Sequence, residues 1–350
     1  MRPSLQVFLA AAAISLILHS SLALESYLTK VQNNEGKNSQ TAANLTEKYS
    51  FIPAGIAPFL VELRGLEMGP CKIELVAPHS MPLITCNAAS HSRQLIIVAF
   101  RHRATHLRIF GHYIMMWLKH ARRRSNFALI VIEQTEDGRV FNKGALLNAA
   151  VKLATANKTT NFAFSDVIIH DVDHIPASDI LNYAPTLSPR AVHFATAYSK
   201  KSYRIPYPNY IGGVYQLRMK DYVRINGHTN RVWGWGGEVD DFYIRMNANA
   251  IQVEHLRSGL YGGRYECLDH DASEKSTDWA SVIKSSLKGG WKEDGLKNIA
   301  FKINSTMLVD ADIFFETGNI SQSVFKEKKF LGNSRSNLFV KIAVELLDNF

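Results

Sequence analysis

A pair of carboxylates, Asp171 and Asp173, directly follows the apolar run DVIIH at 166–170. Residues two apart at a strand end point to the same side, about 6–7 Å from each other along the chain. Two unpaired carboxylates this close repel, and a divalent cation relieves the repulsion. A surface turn with an aspartate cap is the alternative, but the position after a buried strand favours a metal site.

Three bases, Arg101, Arg103 and Lys143, follow other apolar runs of the chain. Each alone is compatible with a solvated side chain. Guanidinium and ammonium groups bind phosphate oxygens, and a metal ion bridges a diphosphate. Together with the carboxylate pair, these bases therefore indicate a site for a nucleoside diphosphate.

A second group of possible metal ligands lies in YECLDHD at 265–271, where Cys267 precedes His270 by three residues. A lone histidine is more often structural than ligating. Carboxylate and imidazole ligands suit Mn²⁺, whereas a thiolate favours softer metals.

Two segments combine aromatic rings with glycine, YPNYIGGV at 207–214 and WGWGGEVDDFY at 233–243. Each is compatible with an ordinary turn or solvated loop. Tyrosine and tryptophan rings also stack on the apolar faces of sugars, and glycine permits close approach of the backbone. Trp233 and Trp235 alternate around a glycine, which places them on one side of an extended segment.

Alternating apolar periodicities predict the elements that position these residues. Strands are expected at 94–100, 127–132 and 166–170, and helices at 107–122 and 142–154. This order is typical of βαβ units with a mainly parallel sheet. Ligands bind beyond the carboxyl ends of such strands, so FRHR at 100–103 and HDVDH at 170–174 should face one crevice.

The N-terminal segment predicts that the protein is exported. The apolar run LQVFLAAAAISLIL at 5–18 follows Met1-Arg2, as in a secretory signal, and Ser21-x-Ala23 offers a cleavage site. Alternatively, 5–24 is long enough for an uncleaved membrane anchor. Residues 25–50 are polar and lack helix or strand periodicity, which is typical of a stem.

The tail at 336–350 has amphipathic helical spacing and is expected to be a packing helix.

The net charge of +9 is compatible with nucleic acid, an anionic membrane or a phosphorylated ligand. No nucleic-acid-binding motif accompanies the basic cluster at 122–124, so we interpret it as a solvated helix end and expect no nucleic-acid partner. In an oxidising compartment Cys71 and Cys86 could pair, leaving Cys267 odd. Glycosylation sequons begin at Asn44, Asn157, Asn304 and Asn319.

Six blocks of the sequence together resemble the β-1,4-galactosyltransferase family. They lie in the family's order at 100–103, 141–151, 170–176, 204–217, 225–246 and 294–303. The resemblance covers roughly residues 90–305, and WGWGGE after ING is its most specific part. HDVD followed by DDFY favours the branch that adds galactose to xylose on proteoglycans.

The resemblance implies an α/β fold of the GT-A nucleotide-sugar-binding type with a mixed, mainly parallel central sheet. It implies UDP-galactose as donor, Mn²⁺ as cofactor, a carbohydrate acceptor, and inversion at the anomeric carbon in forming a β-1,4 linkage. The expected organisation is a signal or anchor (1–24), a stem (25–65), a catalytic domain (66–305) and a C-terminal extension packing on it (306–350). The expected location is the Golgi membrane with a lumenal catalytic domain, or else secretion.

At positions that match the family's motifs, the resemblance implies the roles that the family's residues have. The donor contacts would be Phe100, Arg101, Arg103, Phe141, Lys143, Asp171, Val172 and Trp235. The acceptor and sugar site would comprise Tyr207, Tyr210, Gly213, Gly237 and Glu238. The metal ligands would be Asp173, His270 and, where the family uses other side chains, Cys267. The glycine-tryptophan loop is expected to close over the donor before the acceptor enters.

One departure from the family concerns catalysis, because Val239 stands where WGGED carries the aspartate expected as general base. Valine cannot accept a proton. Glu238 can take over as base, a small shift can bring Asp240 into the role, or the protein binds nucleotide and sugar without turnover in a lectin-like manner. A related transferase that uses another UDP-sugar is a further alternative.

Other departures concern the ligands. Lys143 replaces an arginine, which keeps the charge but loses the bidentate fork. The Arg-Phe that holds an acetyl group in relatives using N-acetylglucosamine is missing after His270, which argues against that acceptor. Tyr210 matches the tyrosine associated with galactose as donor sugar.

Overall fold

The structure is a computed structural model that describes residues 40–54, 56–57, 71–76, 81–87, 90, 92–120, 126–156, 164–177, 181–186, 190–256, 263–324 and 337–347. The signal or anchor at 1–24, the basic cluster at 122–124 and the sequon asparagine Asn157 lie outside these residues. Within the described ranges, no helix has the length and apolar character needed to span a bilayer. The chain divides into two compact units, Met1–Gly65 and Leu66–Phe350.

The first unit contains a helix at 40–48, so the expectation that 25–50 has no regular structure is wrong for this stretch. Ala42, Leu45 and Tyr49 are buried. Their spacing of three and four residues is that of one helix face, which the surrounding polar residues obscure in the sequence.

The second unit contains the other helices and strands that the structure describes. The strands are β1 (Lys72–Val76), β2 (Met81–Thr85), β3 (Gln94–Phe100), β4 (Asn126–Gln134), β5 (Asp166–His170), β6 (His174–Pro176), β7 (Arg190–His193), β8 (Ala197–Tyr198), β9 (Val214–Arg218), β10 (Gln252–His255), β11 (Arg264–Cys267), β12 (Phe301–Asp310) and β13 (Leu338–Leu346). The helices are α1 (Ala104–Lys119), α2 (Lys143–Thr155), α3 (Met219–Arg224), α4 (Glu238–Ala248), α5 (Trp279–Leu287) and α6 (Ala311–Thr317).

Ten of these strands form one mixed sheet in the order β1-β2-β4-β3-β5-β9-β7-β10, with β13 also paired to β4 and β12 to β13. Its centre is parallel, because β13, β4, β3 and β5 all run in the same direction. Strand β9 is antiparallel to β5 and β7. A second, small sheet has the order β6-β11-β8. The predicted α/β architecture around a parallel centre is therefore present.

The predicted central elements are present because their sequences fit buried strands and the helices that cover them. Strands β3 and β5 have the predicted bounds, and every residue of β5 is buried. Helix α2 starts after Asn142, whose side-chain oxygen accepts a hydrogen bond from the backbone N–H of Ala145. Such a cap satisfies one of the free N–H groups at a helix start. The buried face of α2 packs into the main hydrophobic core.

The carboxyl ends of β3, β4, β5, β7 and β10 lie at one edge of the large sheet, where β9 begins. The segments at 100–103 and 170–174 therefore come to the same edge, as predicted. The loop before β9, with Gly213 of the predicted sugar site, joins them there.

The C-terminal tail is a strand, so the predicted packing helix is wrong. Strand β13 lies between β4 and β12 in the sheet, and all but one of its residues are buried. A strand buried on both faces is an almost continuous apolar run, which periodicity cannot distinguish from a buried helix. Lys341 within this run is paired with Glu133 of β4.

The structure joins Cys71 and Cys86 in a disulfide, and Cys267 is the free cysteine. The sequence had offered this pairing. The sequon asparagines Asn44, Asn304 and Asn319 are exposed.

We predict that Ile342→Ala lowers the free energy of unfolding by about 2–5 kcal/mol, because a buried isoleucine is replaced by a cavity. Ile342 is 1% exposed in the middle of β13. Urea unfolding followed by tryptophan fluorescence measures the effect. The control is Ile303→Ala in β12, where the side chain is 37% exposed and the loss should be much smaller. Equal losses in the two variants would mean that β13 is not part of the core.

Candidate functional site

The centre of the site is the Asp173 carboxylate in the turn after β5. It is buried, its Oδ1 lies 2.9 Å from Nδ1 of His174, and its Oδ2 lies 3.1 Å from both Nε2 of His270 and Nζ of Lys200. Burial alone would raise the pKa of this carboxyl, but His174, His270 and Lys200 hold the pKa well below its usual range. Asp173 is therefore an anion at any physiological pH.

The spacing of Asp173 and His270 fits two neighbouring ligands of one metal ion. In an octahedral site with metal–ligand distances of 2.0–2.1 Å, adjacent ligand atoms are about 3.0 Å apart. Oδ2 of Asp173 and Nε2 of His270 are 3.1 Å apart. The structure thus brings this predicted pair together across 97 residues of sequence. A carboxylate with an imidazole is a donor set that suits Mn²⁺.

A second possible ligand set involves His174, to which the sequence assigned no role. Asp171, Asp173 and His174 each offer a ligand atom, and these atoms lie within 4.8 Å of one another. Burial disfavours a charge on His174, but the Asp173 carboxylate raises its pKa well above the usual range. A protonated ring that donates to Asp173 is a partner of the carboxylate and not a ligand, so Asp173 with His270 is the better pair.

Cys267 lies beside this centre at the end of β11, opposite His174 in the register of the small sheet. Its backbone N–H donates to Oγ of Ser199, and its thiol is partly buried. The group of described residues with ligand atoms within 4.8 Å of one another, Asp171, Asp173 and His174, includes neither Cys267 nor His270. Its predicted role as a third ligand stays a prediction.

His270 is oriented by contacts from the segment after β3. Its Nδ1 lies 2.6 Å from the carbonyl oxygen of Asp271 and 3.1 Å from Nη2 of Arg103. The ring of His106, one turn into α1, lies edge-on to His270, and its Nε2 is 3.0 Å from the carbonyl oxygen of Asp269. Arg103 therefore reaches the metal pair, and His106 is a neighbour that the sequence did not reveal.

A second charged group lies on the other side of the Asp171–Asp173 turn. Nζ of Lys143, the first residue of α2, is 2.6 Å from Oδ1 of Asp171. Burial alone would lower the pKa of Lys143, but Asp171 and Glu238 raise it above the usual range. The ammonium group therefore lies between a predicted donor residue and a predicted catalytic one.

Glu238 is the first residue of α4 and is 8% exposed. Burial raises the pKa of its carboxyl, although Lys143 acts in the opposite direction. Its Oε2 is buried and has no hydrogen-bond partner in the described part of the chain. An unpartnered buried carboxylate oxygen is costly, which indicates a group kept for a ligand.

The other two acids of EVDD have protein partners. Oδ1 of Asp240 accepts a hydrogen bond of 2.6 Å from the Tyr207 hydroxyl. Asp241 is fully buried and forms an ion pair with Arg245, with Nε and Oδ2 2.6 Å apart. Val239 is buried and belongs to the main hydrophobic core. Asp240 is therefore at the site, Asp241 is structural, and the position of the expected base is occupied by an apolar side chain.

The remaining predicted donor residues line the same edge in different ways. Phe100 and Val172 are buried, and Nη1 of Arg101 donates to the carbonyl oxygen of Arg139 at 2.6 Å. The carbonyl oxygen of Phe141 accepts a hydrogen bond of 2.8 Å from the N–H of Gly234. This bond ties the tryptophan loop to the start of α2.

The two tryptophans of the loop differ in environment, and the extended segment that would place them on one side is interrupted at Gly234, whose φ is +88°. Trp233 packs against the core with the guanidinium of Arg139 over its ring, whereas Trp235 is 63% exposed. The backbone of Trp235 is held by Glu274 and Ser276 at 2.7 and 3.0 Å. Its ring therefore projects from a backbone fixed on one side.

The tyrosine loop at 207–213 packs against the metal centre. Tyr210 stacks on Tyr198 and meets Tyr207 edge-on. Gly213 has a φ of +84°, and a Cβ there would lie 2.8 Å from Nε2 of His174. Glycine is required at this position both by the backbone conformation and by the close approach.

Two protein-family models match the part of the chain that carries these residues. A model described as the N-terminal region of glycosyl transferase group 7 matches residues 76–186, and one described as the N-terminal domain of galactosyltransferase matches residues 192–271. Together they cover more than half of the chain.

Among curated proteins, the chain is similar to β-1,4-galactosyltransferase 2 of Cricetulus griseus, with 35% identity over 212 residues, 59% of this chain and 54% of that protein. It is also similar to β-1,4-galactosyltransferase 3 of Bos taurus, with 31% identity over 220 residues, 62% of this chain and 53% of that protein. The chain thus spans about half the length of these relatives.

Among solved structures, it is similar to the catalytic domain of Drosophila β-1,4-galactosyltransferase 7 in complex with xylobiose. The TM-score is 0.57 at 21% identity, over 73% of this chain and 94% of that chain. A mutant of that protein in complex with manganese, UDP-Gal and xylobiose gives a TM-score of 0.51. These likenesses confirm the predicted GT-A type fold. By the two matching family models and the curated relatives, the chain belongs to the β-1,4-galactosyltransferase family.

Proposed function

We propose that this protein is a Mn²⁺-dependent transferase that moves galactose from UDP-galactose to a sugar acceptor, with inversion and in β-1,4 linkage. The observation that carries the proposal is the 3.1 Å pair of Asp173 and His270, with Arg103 beside it. Support also comes from the Drosophila neighbour, whose structure contains manganese, UDP-Gal and xylobiose.

Asp173 and His270 would hold the metal ion, which when bound neutralises charge on the diphosphate leaving group. Oδ1 of Asp173 is bonded to His174, so a cation shared with His270 would bind Oδ2, the oxygen that lies 3.1 Å from the Lys200 ammonium. Lys143 provides a further positive charge on the other side of the turn, next to Asp171. These side chains come from separate elements at one sheet edge and are therefore fixed before the donor binds.

Glu238 is the general base of the proposed reaction. The acceptor hydroxyl must lose its proton as it attacks the anomeric carbon, and Val239 cannot take it. Glu238 has a free, buried Oε2 and a raised pKa, which makes its carboxylate a stronger base than an exposed glutamate. Asp240 already accepts a hydrogen bond from the Tyr207 hydroxyl, so the role of Asp240 is to orient the Tyr207 ring.

The ring of Trp235 is proposed to close over the bound donor. Gly236 and Gly237 follow it with φ angles of +108° and +92°, and a Cβ at Gly236 would meet no atom within 4 Å. Free space and a left-handed backbone beside an exposed ring are what a closing loop needs. Tyr210 supports galactose as the transferred sugar.

Xylose is the acceptor that we propose. Where relatives using N-acetylglucosamine carry Arg-Phe, this chain has TDWASVI at the start of α5, with Trp279 about half exposed. An aromatic face without the acetyl-binding pair suits a sugar that lacks an acetyl group. The DDFY sequence supports the same branch of the family.

We also propose that the protein acts in the lumen of the secretory pathway, as a Golgi membrane protein or in secreted form. A Cys71–Cys86 disulfide persists in an oxidising compartment. The exposed sequon asparagines support the same location.

A protein that binds UDP-galactose without turnover is the second candidate function. Its support is Val239, which belongs to the hydrophobic core and removes the carboxylate expected at that position. A transferase for another UDP-sugar is a further candidate.

We predict that the secreted form of the protein releases UDP from UDP-galactose and Mn²⁺ only when a xyloside is present. The reason is that Glu238 retains the proton-accepting function. UDP release is measured with xylosides, N-acetylglucosamine, glucose and no acceptor. Asp173→Asn serves as the control without a metal site. If the native protein binds UDP-galactose but only Val239→Asp consumes it, the protein is a binder.

Glu238→Gln should lower kcat by about 10²–10⁴-fold, the contribution of a positioned general base. The rate of the native enzyme should fall as pH decreases through the raised pKa of Glu238, because the protonated carboxyl cannot accept a proton. Steady-state rates between pH 4.5 and 8 measure this limb. Binding of UDP should be unchanged, and Asp240→Asn should cost less in kcat. A variant Glu238→Gln that keeps the native kcat would exclude this base.

A further inference from the structure

Two histidines that belong neither to the proposed metal ligands nor to the proposed base are hydrogen-bonded to each other at the sheet edge that carries the site. His193 ends β7 and His255 ends β10, and the two are opposite one another in the parallel register. Their Nδ1 atoms are 2.9 Å apart. A bond between these two nitrogens requires one donor and one acceptor.

The burial and contacts of His193 decide which nitrogen donates. His193 is fully buried, and burial lowers its pKa to about 3, so the ring is neutral. Its Nε2 lies 2.8 Å from the carbonyl oxygen of Gly212, which only accepts. The single ring proton of His193 is therefore on Nε2, its Nδ1 accepts, and Nδ1 of His255 donates.

This chain of hydrogen bonds ends on the tyrosine loop at 207–213. Gly212 lies between Tyr210 and Gly213, and a Cβ at Gly212 would clash with the Tyr210 hydroxyl. The ring of Tyr210 also lies edge-on to His193. At the other end of the loop, the His255 ring lies beside the backbone carbonyl of Pro208, which only accepts, while the single ring proton of His255 is the one donated to His193. The histidine pair therefore contacts both ends of the loop.

The loop makes two other hydrogen bonds to its surroundings, from the N–H of Asp171 to the carbonyl oxygen of Gly213 at 3.0 Å and from the Tyr207 hydroxyl to Asp240 at 2.6 Å. Within the described chain, its internal backbone bond joins the N–H of Tyr210 to the carbonyl oxygen of Tyr207 at 3.0 Å. Tyr207, Pro208 and Asn209 are exposed, and Tyr210 is partly exposed. The histidine pair is therefore one of several groups that hold this loop, together with Asp240 at Tyr207 and Asp171 at Gly213.

We propose that His193 and His255 are positioning residues that hold the tyrosine loop, and with it Tyr207 and Tyr210, against the transferred sugar. The inference rests on the proposed function only for the identity of that sugar. Neither histidine touches the metal pair or Glu238. Their effect reaches the ligand through Gly212, Pro208 and the tyrosine rings.

The test compares His255→Leu, His255→Asn and the native full chain. His255 is only partly buried, so its replacement leaves the core intact. Leucine removes the donor to His193, whereas asparagine keeps a donor near the position of Nδ1. Glu254→Gln is the matched control, because it changes the neighbouring residue of β10 and breaks only an exposed pair with Arg190.

Two measurements are made on each protein. Hydrogen exchange of peptides covering 207–213 should be faster in His255→Leu and native-like in His255→Asn and Glu254→Gln. The affinity for UDP-galactose relative to UDP should fall about three- to tenfold in His255→Leu only, as expected for a lost hydrogen bond. UDP affinity itself should not change.

Unchanged exchange in His255→Leu with a native thermal midpoint would overturn the inference. An equal loss of UDP and UDP-galactose affinity would also overturn it, because the effect would then be a general disturbance. If the native chain binds neither ligand, the proposed function fails, and the exchange experiment still decides whether the pair positions the loop.

Discussion

The ionised, buried carboxylate of Asp173 is the interaction on which the site depends. A buried charge is tolerated only where opposite charges and hydrogen-bond donors surround it. The donors come from three places, His174 at the start of β6, Lys200 after β8 and His270 after β11. The small sheet brings these three side chains together, because β11 pairs with both β6 and β8. Its short strands thus convert one strand end of the large sheet into a cation site.

The first residues of two helices provide the charged groups on the other side of the Asp171–Asp173 turn. Lys143 begins α2 and Glu238 begins α4, and both approach Asp171. A carboxylate at a helix N-terminus is favoured by the helix dipole, whereas an ammonium there is not. Lys143 is therefore held by Asp171, as His174 and Lys200 hold Asp173 on the other side of the turn. A diphosphate and a metal ion would exchange these internal pairs for pairs with the ligand.

Much of the central sheet could be predicted from the sequence, because β3, β4 and β5 are long apolar runs and α1 and α2 have clear spacing. The convergence of 100–103 and 170–174 followed from strand direction alone. The role of Asp173 with His270 needed the family resemblance, since nothing in the spacing of YECLDHD connects it to a residue so far away in sequence.

The residues that were missed depend on elements too short for periodicity. Lys200 and His174 reach Asp173 through β8 and β6, which have two and three residues. His106 had no motif around it. The tail was assigned to a helix because both faces of β13 are buried, and the Trp233–Trp235 expectation failed because the loop bends at Gly234, whose φ is +88°.

The broken acid run EVDD is explained by helix geometry. Once α4 begins at Glu238, residues 238 and 241 share a face, and residue 240 points elsewhere. Asp241 holds Arg245 in the interior, Asp240 meets Tyr207 at the surface, and Glu238 faces Lys143. Val239 lies on the helix flank that packs into the core, so an apolar residue there stabilises the helix that carries Glu238. Valine at 239 therefore offers no base, while the neighbouring Glu238 carboxyl is buried with a raised pKa and an unpartnered Oε2, as the proposed reaction requires.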